Sequence, residues 1–348
     1  MSLRRVKSYI AAVNPLHRSA APAARTDPAS TIFRMRLPFF RSRKRKNETP
    51  EPEQAAAQPV AAEPTPDPIA PPTTPSDKPR RFPTELVVES FGYALAAVPS
   101  LGPTTKAWRK LGFVVSEPTT WLGCNVAQIE LEGGGIRFLA ADSHAESTAL
   151  VELVRARLIL GAGLFGWTWA CADPHRSALA VAQLAGSDFH DGCEAWGEPL
   201  VQVPMELTPA AATWLEKPTT TTPPAHPNSI TRLDHVVLQV SASKTASHIY
   251  ESHFGLKGRT AVMQERYYAF LKIGPSLLEI VGPMKPTPGN MTGGPWGVAF
   301  GSSDIDATVA YLAKAGVEVK PPHRAVQGGR ITGMAIPLGG IQIAFVGE

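Results

Sequence analysis

The stretch LDHVVLQV, Leu233 to Val240, decides the fold of this chain. It is a β-branched run with one polar residue, His235, inside it, a composition typical of a buried strand. A segment of helical length follows and ends at Phe254-Gly255-Leu256. Two further strand-like runs come next, YYAFLKIG and SLLEIVG, separated by a Gly-Pro-Ser turn. The order predicts a strand, a helix over Ser243–Phe254, and then more strands.

The same order begins again after a connector rich in Pro and Gly. The run Trp296–Phe300 predicts a strand, and Asp304 is a natural N-cap for a helix that ends before Gly316. Further strands are expected near Val317–Lys320, Arg330–Pro337 and Ile341–Val346. The region from residue 230 to residue 348 therefore predicts two βαβββ units in succession.

An earlier part of the chain repeats this pattern less clearly. It starts at Tyr93 with YALAAVPSL, passes a helix that ends in LGF, and reaches AQIELEGGGIRFLA. After Gly186 the sequence becomes irregular, and its last strands cannot all be placed. Repeats of this kind define the architecture. We expect an α+β chain with a degenerate first domain at 85–216, a linker at 217–229 and a second domain at 230–348.

These motifs resemble the vicinal oxygen chelate superfamily, which includes glyoxalase I, bleomycin-resistance proteins and extradiol dioxygenases. The resemblance rests on DHVVL with the helix ending in FGL, on FLKIGPSLLEIV, and on WGVAF followed by SDIDATVAYLAKAGVEV. It implies that paired βαβββ units close into a cup around a metal ion or a small molecule. It covers 230–348 with good specificity and about 88–210 with less.

The resemblance also implies where metal ligands would lie, on the first and last strands of each unit. His235 and Glu279 occupy two such positions and are suitable ligands for Zn, Ni, Mn or Fe. The matching positions of the next unit are Gly297 and Ala344, which cannot donate. His323, Gln327 and Gln342 are possible substitutes. In the first domain, Tyr93, Phe138 or Arg137, and Gly166 stand at the corresponding places.

Two functions stay open on this evidence. One is a metal-dependent lyase, isomerase or dioxygenase that acts on a small organic molecule in the C-terminal cup. The other is a metal-free protein that binds or sequesters such a molecule there. Tyr268, Trp296 and Arg330 are candidate substrate-binding residues, because aromatic rings and an Arg suit an apolar or carboxylated ligand. The alternative for each is a core aromatic or a surface Arg, and no catalytic residue can be named.

The first 84 residues predict a disordered tail. Residues 1–46 carry twelve Lys or Arg and a single acid, and Pro50 to Pro79 hold ten prolines. Such a composition cannot bury enough apolar surface to fold. The basic part reads as a solvated tail, a targeting peptide, a lipid-contacting segment anchored by Phe39 and Phe40, or a weak nucleic-acid contact. Met35 is a second plausible start.

Charge and cysteine content argue against several classes of protein. Beyond residue 46 the chain has 22 basic and 29 acidic residues, which argues against nucleic-acid binding by the folded part. Cys124, Cys171 and Cys193 are widely spaced, so neither a disulfide framework nor a zinc ribbon is expected. We expect a cytoplasmic protein, or an organelle-targeted one if the basic segment acts as a signal. The oligomeric state stays open.

Overall fold

Two eight-stranded mixed sheets dominate the computed structural model. The structure describes residues 88–142, 148–185, 194–195, 200–203, 207–219, 221–286, 291–325 and 328–348. The predicted N-terminal tail lies outside these residues, as do Cys193 and Gln327. None of the described helices has the length and apolar character that crossing a lipid bilayer demands.

The first sheet is built from two βαβββ units. Its elements are β1 (Ser90–Ala97), α1 (Leu101–Lys110), β2 (Thr119–Trp121), β3 (Cys124–Leu131), β4 (Gly134–Ala140), α2 (Ala149–Ile159), β5 (Gly163–Ala170), α3 (Pro174–Leu184), β6 (Glu194–Ala195), β7 (Val201–Val203) and β8 (Ala212–Glu216). The strand order is β2-β3-β4-β1-β5-β8-β7-β6. In each unit the last strand lies parallel to the first, and the two first strands, β1 and β5, pair antiparallel at the centre.

The second sheet has the same topology. Its elements are β9 (Ile230–Val240), α4 (Ser243–Phe254), β10 (Lys257–Met263), β11 (Arg266–Ile273), β12 (Ser276–Pro283), β13 (Gly293–Ser302), α5 (Ile305–Lys314), β14 (His323–Arg324), β15 (Arg330–Gly333) and β16 (Gln342–Gly347). The order β10-β11-β12-β9-β13-β16-β15-β14 matches the first sheet position by position. The α+β fold of paired βαβββ units is confirmed.

Local signals set the helix ends. The side chain of Asp304 accepts a 2.9 Å hydrogen bond from the backbone N–H of Ala307, which satisfies one free donor of α5. Helix α4 ends at Phe254, and Gly255 caps it. The φ of Gly255 is 65°, the left-handed conformation that glycine adopts without a Cβ clash. Helix α4 therefore spans the residues predicted from the sequence.

Several elements were not predicted, among them strands β2 and β14 and helix α2. Strand β2 is short and lies at an edge of the first sheet. Helix α2 lies between the two units of the first domain and is capped by Thr148, whose hydroxyl accepts from the Val151 N–H at 3.2 Å. It is buried on several sides, so its sequence lacks the one-sided apolar pattern from which helices are predicted. The predicted strand at Val317–Lys320 is reduced to a single bridge between Val319 and Met334.

One face of each sheet contributes to a common core. Trp108 and Phe113 of the first domain pack on Phe300 of the second, with ring centroids 5.9 and 4.9 Å apart. Trp169 packs on Phe254 at 4.5 Å. The opposite face of each sheet forms a cup, called here the N-terminal cup, marked by Tyr93, and the C-terminal cup, marked by His235.

Candidate functional site

Most of the N-terminal cup is filled by protein, and a cavity of about 170 Å³ remains beside Tyr93, Glu130 and Glu216. Tyr93, Leu95 and Ala97 project from β1 on alternate positions and belong to a buried cluster with the inserted helix α2. Leu150, Val151, Leu153 and Val154 of that helix are completely buried. Trp214 of β8 belongs to the same cluster. The helix therefore occupies much of the space that a ligand would need in this cup.

The C-terminal cup contains a cavity instead. Its connector between the two units, Gly282 to Gly294, forms no helix in its described part. The cavity has a volume of about 230 Å³. Its lining residues come from seven strands and the loop after β14: His235, Met263, Tyr268, Phe270, Glu279, His323, Arg324, Ala325, Ile331 and Val346. The walls are mostly apolar, and the polar side chains at its base are His235 and Glu279.

His235 and Glu279 form a buried pair. Nε2 of His235 lies 3.3 Å from Oε2 of Glu279, and the two side chains are only 6% and 15% exposed. A carboxylate oxygen can only accept, so this approach requires one proton between the two atoms, carried by Nε2 or by Oε2. The pair can therefore offer both a donor and an acceptor to a molecule in the cavity.

Asp234 holds the imidazole from its other side. Its Oδ1 lies 2.8 Å from Nδ1 of His235, and its Oδ2 accepts from Arg232 at 2.9 Å. Neighbouring residues on a regular strand point to opposite faces. Here the ladder with β13 shifts register at Asp234, and this bulge allows its side chain to reach that of the next residue. The hydrogen bond fixes the ring orientation and places the Nδ1 proton on the Asp234 side.

The environment shifts the pKa values of the two carboxyl groups, Glu279 and Asp234, in opposite directions. Burial raises the pKa of Glu279, an effect that the positive charge of His235 only partly offsets. Burial alone would also raise the pKa of Asp234, but the hydrogen bond and charge of His235, together with Arg232, outweigh it and hold this pKa below its usual value. The two carboxyl groups flanking one imidazole therefore differ in character: Asp234 is the ion and Glu279 is readily protonated.

The strand register identifies the positions related to this pair within the second sheet. His235 pairs with Ala299, and Gly297 pairs with Val237, so Gly297 is the symmetric counterpart of His235. Glu279 lies beside Val237 and Ala344 beside Ala299, which makes Ala344 the counterpart of Glu279. The symmetric half of the site therefore carries no donor atom.

The donor set does not fit a divalent metal centre. Metal sites of the Zn or Fe type use three or more protein ligands, and the pair supplies two. Among the described residues, no group of three or more His, Cys, Asp or Glu side chains could hold an ion. His323 lines the mouth of the cavity, and Gln342 donates to the Met334 carbonyl. Binding of Zn, Ni, Mn or Fe at His235 and Glu279 was predicted from the sequence, but the pair alone supplies too few ligands for it.

The structure separates the three predicted substrate-binding residues. Tyr268 lines the C-terminal cup and stacks on Phe270, with ring centroids 6.2 Å apart. Trp296 lies in a second bulge, at the position symmetric to Asp234, and lines a different cavity. Arg330 is bound to Asp306 through two hydrogen bonds of 3.0 and 2.8 Å on the surface. Only Tyr268 is brought together with the His235–Glu279 pair.

Several lining residues were missed by sequence reasoning. Phe270 follows Tyr268 by two positions on β11, so strand alternation alone places both on one face. Ile331 and Val346 lie on strands of the other unit, and no local pattern marks them as cavity residues. Asp234 adjoins His235 in sequence, but its role depends on the bulge, which the sequence does not reveal.

Comparisons with known proteins agree with this architecture. Residues 232–343 match the model of the Glyoxalase/Bleomycin resistance protein/Dioxygenase superfamily. No curated protein matches the chain. A mutant of 4-hydroxymandelate synthase from Streptomyces coelicolor is similar in structure, with a TM-score of 0.51, 14% identity, and coverage of 75% of this chain and 92% of that one.

Two further structures are similar over different lengths. A xylose isomerase-like TIM barrel/4-hydroxyphenylpyruvate dioxygenase fusion protein has a TM-score of 0.53 and 14% identity, and the match covers 75% of this chain but 49% of the fusion. Methylmalonyl-CoA epimerase from Mycobacterium tuberculosis is 23% identical over 34% of this chain and 89% of its own, with a TM-score of 0.30.

The chain carries two tandem domains of paired βαβββ units, a fold that it shares with the first two of these solved structures. The match to the Glyoxalase/Bleomycin resistance protein/Dioxygenase superfamily lies in its second domain, as the sequence resemblance indicated. At these identities the similarity to solved structures shows the fold alone.

Proposed function

We propose that the C-terminal cup binds a small organic molecule directly on the His235–Glu279 pair, without a divalent metal. The observation that carries the proposal is the contrast between the two cups. One is mostly filled by helix α2 and keeps a smaller cavity of about 170 Å³, whereas the other keeps a cavity of about 230 Å³ around a buried acid–base pair. Apolar cavities with a few convergent polar groups are the usual form of small-molecule sites.

The apolar walls indicate the body of the ligand. Tyr268 and Phe270 present two nearly parallel rings, with an interplanar angle of 10°. Ile331 and Val346 line the same cavity from the other unit of the domain. A flat ring inserted here would contact aromatic and aliphatic side chains, which favours an aromatic molecule of modest size.

The polar base indicates a hydrogen-bonding group on the ligand. One proton is shared between His235 and Glu279, so the pair can donate to a ligand oxygen through one atom and accept from a ligand hydroxyl through the other. Asp234 keeps the imidazole in place while this exchange occurs. Because the pair is buried, these bonds form away from competing water and are strengthened. A hydroxylated aromatic acid combines the features that the cup recognises.

The proposal can be tested with 4-hydroxymandelate, an aromatic acid with two hydroxyl groups. Isothermal titration of the full chain should show binding that weakens about tenfold or more in His235→Ala and Glu279→Gln, since each removes a buried hydrogen-bonding partner. The matched control is His248→Ala, an exposed histidine on α4. Equal affinity in all four proteins would exclude binding on the pair. Binding that appears only after Zn or Fe is added would overturn the metal-free form of the proposal.

A further inference from the structure

A second, larger cavity lies between the two domains. It is a cleft of about 400 Å³ to which the first domain contributes Arg157 and Leu164. The second domain supplies the rest: Gln239, Val240, Ser241, Arg266, Gly282, Pro283, Thr292, Gly293, Gly294, Pro295 and Trp296. It shares no lining residue with the C-terminal cup. Its volume and its position between domains are typical of ligand sites.

The charge of the cleft is positive. Arg157 and Arg266 line it, and no Asp or Glu is among its lining residues within the described part of the chain. Arg157 is oriented by backbone carbonyls, donating from Nε to Leu164 at 2.9 Å and from Nη1 to Gly161 at 2.7 Å. A guanidinium held in this way loses little conformational freedom when it binds an anion.

The guanidinium of Arg266 is not fully hydrogen-bonded by the described residues. Its Nε atom is buried, and no described residue accepts a hydrogen bond from it. A buried donor without a partner costs free energy, and an anionic group in the cleft would supply the missing acceptor in a charge-assisted bond. The unmet donor therefore points to a negatively charged ligand group.

The remaining wall suits a flat apolar body. Trp296 is 48% exposed although it is a large aromatic residue, and the bulge at its position turns it towards the cleft it lines. Gly282, Gly293 and Gly294 also line the cleft and add no side chain to it. At Gly282 and Gly293 an added Cβ would lie 2.0 and 2.1 Å from the backbone oxygens of Val240 and Gln239, so a side chain there is excluded by the neighbouring strand.

We propose that this cleft is a second ligand site, which binds an organic anion through Arg266 and Arg157 with its flat apolar part against Trp296. The site shares no lining residue with the C-terminal cup, although the charge of Arg266 also acts on Glu279. A ligand here would bridge the two domains, because its anionic group would contact a residue of each.

The experiment uses 1-naphthoate as the probe and its neutral counterpart, 1-naphthamide, as the control ligand. Isothermal titration of the full chain should show binding of naphthoate and at least tenfold weaker binding of naphthamide. Arg266→Gln and Trp296→Ala should each weaken naphthoate binding about tenfold, because each removes one of the two recognition elements. Arg176→Gln, which changes an exposed arginine on α3, is the matched control and should bind like the wild type.

Arg266→Lys keeps the positive charge and serves as a second variant in case Arg266→Gln fails to fold. Its affinity for naphthoate should lie between those of the wild type and Arg266→Gln. Equal affinity for naphthoate in the wild type, Arg266→Gln and Trp296→Ala would overturn the proposal, as would equal affinity for the acid and the amide. Loss of binding in His235→Ala with full binding in Arg266→Gln would assign the probe to the C-terminal cup and would also overturn it. That result leaves the proposed function of the cup intact, so the two proposals fail separately.

Discussion

Arg137 stands in the N-terminal cup at the register position that Glu279 holds in the C-terminal cup. It pairs with Leu95 across β1, as Glu279 does with Val237 across β9. Its guanidinium lies 3.8 Å from the ring centre of Tyr93, the counterpart of His235, and 3.6 Å from Glu216. A fixed organic cation therefore replaces the acid of the other cup. Within this cup, Nη1 of Arg137 and the indole N–H of Trp214 are buried and have no hydrogen-bond acceptor among the described residues.

Glu216, the partner of Arg137, gives a prediction about pH. Burial raises the pKa of Glu216, and the nearby charge of Arg137 only partly opposes this. The folded state therefore holds the proton more tightly than the unfolded state. The stability that this group contributes is full below its unfolded pKa and is lost as the pH rises through the folded value.

Replacing Glu216 with Gln should remove this loss of folding stability at higher pH. The difference in free energy of unfolding, variant minus wild type, is expected to increase as the pH rises from 5 to 8, as measured by urea denaturation. A difference that decreases over this range would show that Arg137 stabilises the ionised carboxylate by more than burial costs.

The residue scale also shows the limit of sequence reasoning. His235 and Glu279 could be selected as a pair because a polar residue in each of two apolar strands needs a partner when buried. Trp296 and Asp234 could not be placed, since both sit in bulges that reverse the alternation of their strands. Arg330 is a residue type that often binds carboxylate ligands. In the structure it binds instead the carboxylate of Asp306, a surface residue of the preceding helix.

At the scale of elements, helix α2 distinguishes the two domains. The repeats in the sequence predict equal units, and most strands and the helices α4 and α5 follow that prediction. Helix α2 is an insertion between the two units of the first domain, so the repeat pattern does not predict it. Its burial on several faces also hides the helical period, and the different contents of the two cups could therefore only be seen in the structure.

Two residues of helix α2 provide a matched test of its role. Leu153 is completely buried in the N-terminal cup, whereas Ile159 at the end of the helix is 77% exposed. Leu153→Ala should lower the free energy of unfolding by roughly 2–5 kcal/mol through the cavity it creates. Ile159→Ala should change it by less than about 0.5 kcal/mol. Equal effects in urea denaturation would mean that the helix does not support the cup.

At the scale of the molecule, the two domains share one core. Trp108, Phe113 and Phe300 meet at one junction, and Trp169 and Phe254 at another. The linker is tied to both sides: Asn228 donates to the Leu111 carbonyl at 2.9 Å, and its own carbonyl accepts from Thr308 at 2.7 Å. Such continuity favours cooperative unfolding of the whole folded region.

Phe300→Ala tests this cooperativity. Phe300 is completely buried, and its loss should cost roughly 3–5 kcal/mol. Because the ring serves both domains, hydrogen exchange should accelerate in β1 and β4 of the first sheet as well as in β9 and β13 of the second. Faster exchange confined to the second sheet would show that the domains unfold independently.

The central claim is that the C-terminal cup works through the His235–Glu279 pair itself and not through a bound metal. The most direct test is the metal content of the purified full chain by elemental mass spectrometry, compared with His235→Ala. The account predicts far less than one equivalent of Zn, Ni, Mn or Fe in the wild type, including after incubation with each ion, and the same content in the variant. Near-stoichiometric metal in the wild type that is lost in His235→Ala would contradict it.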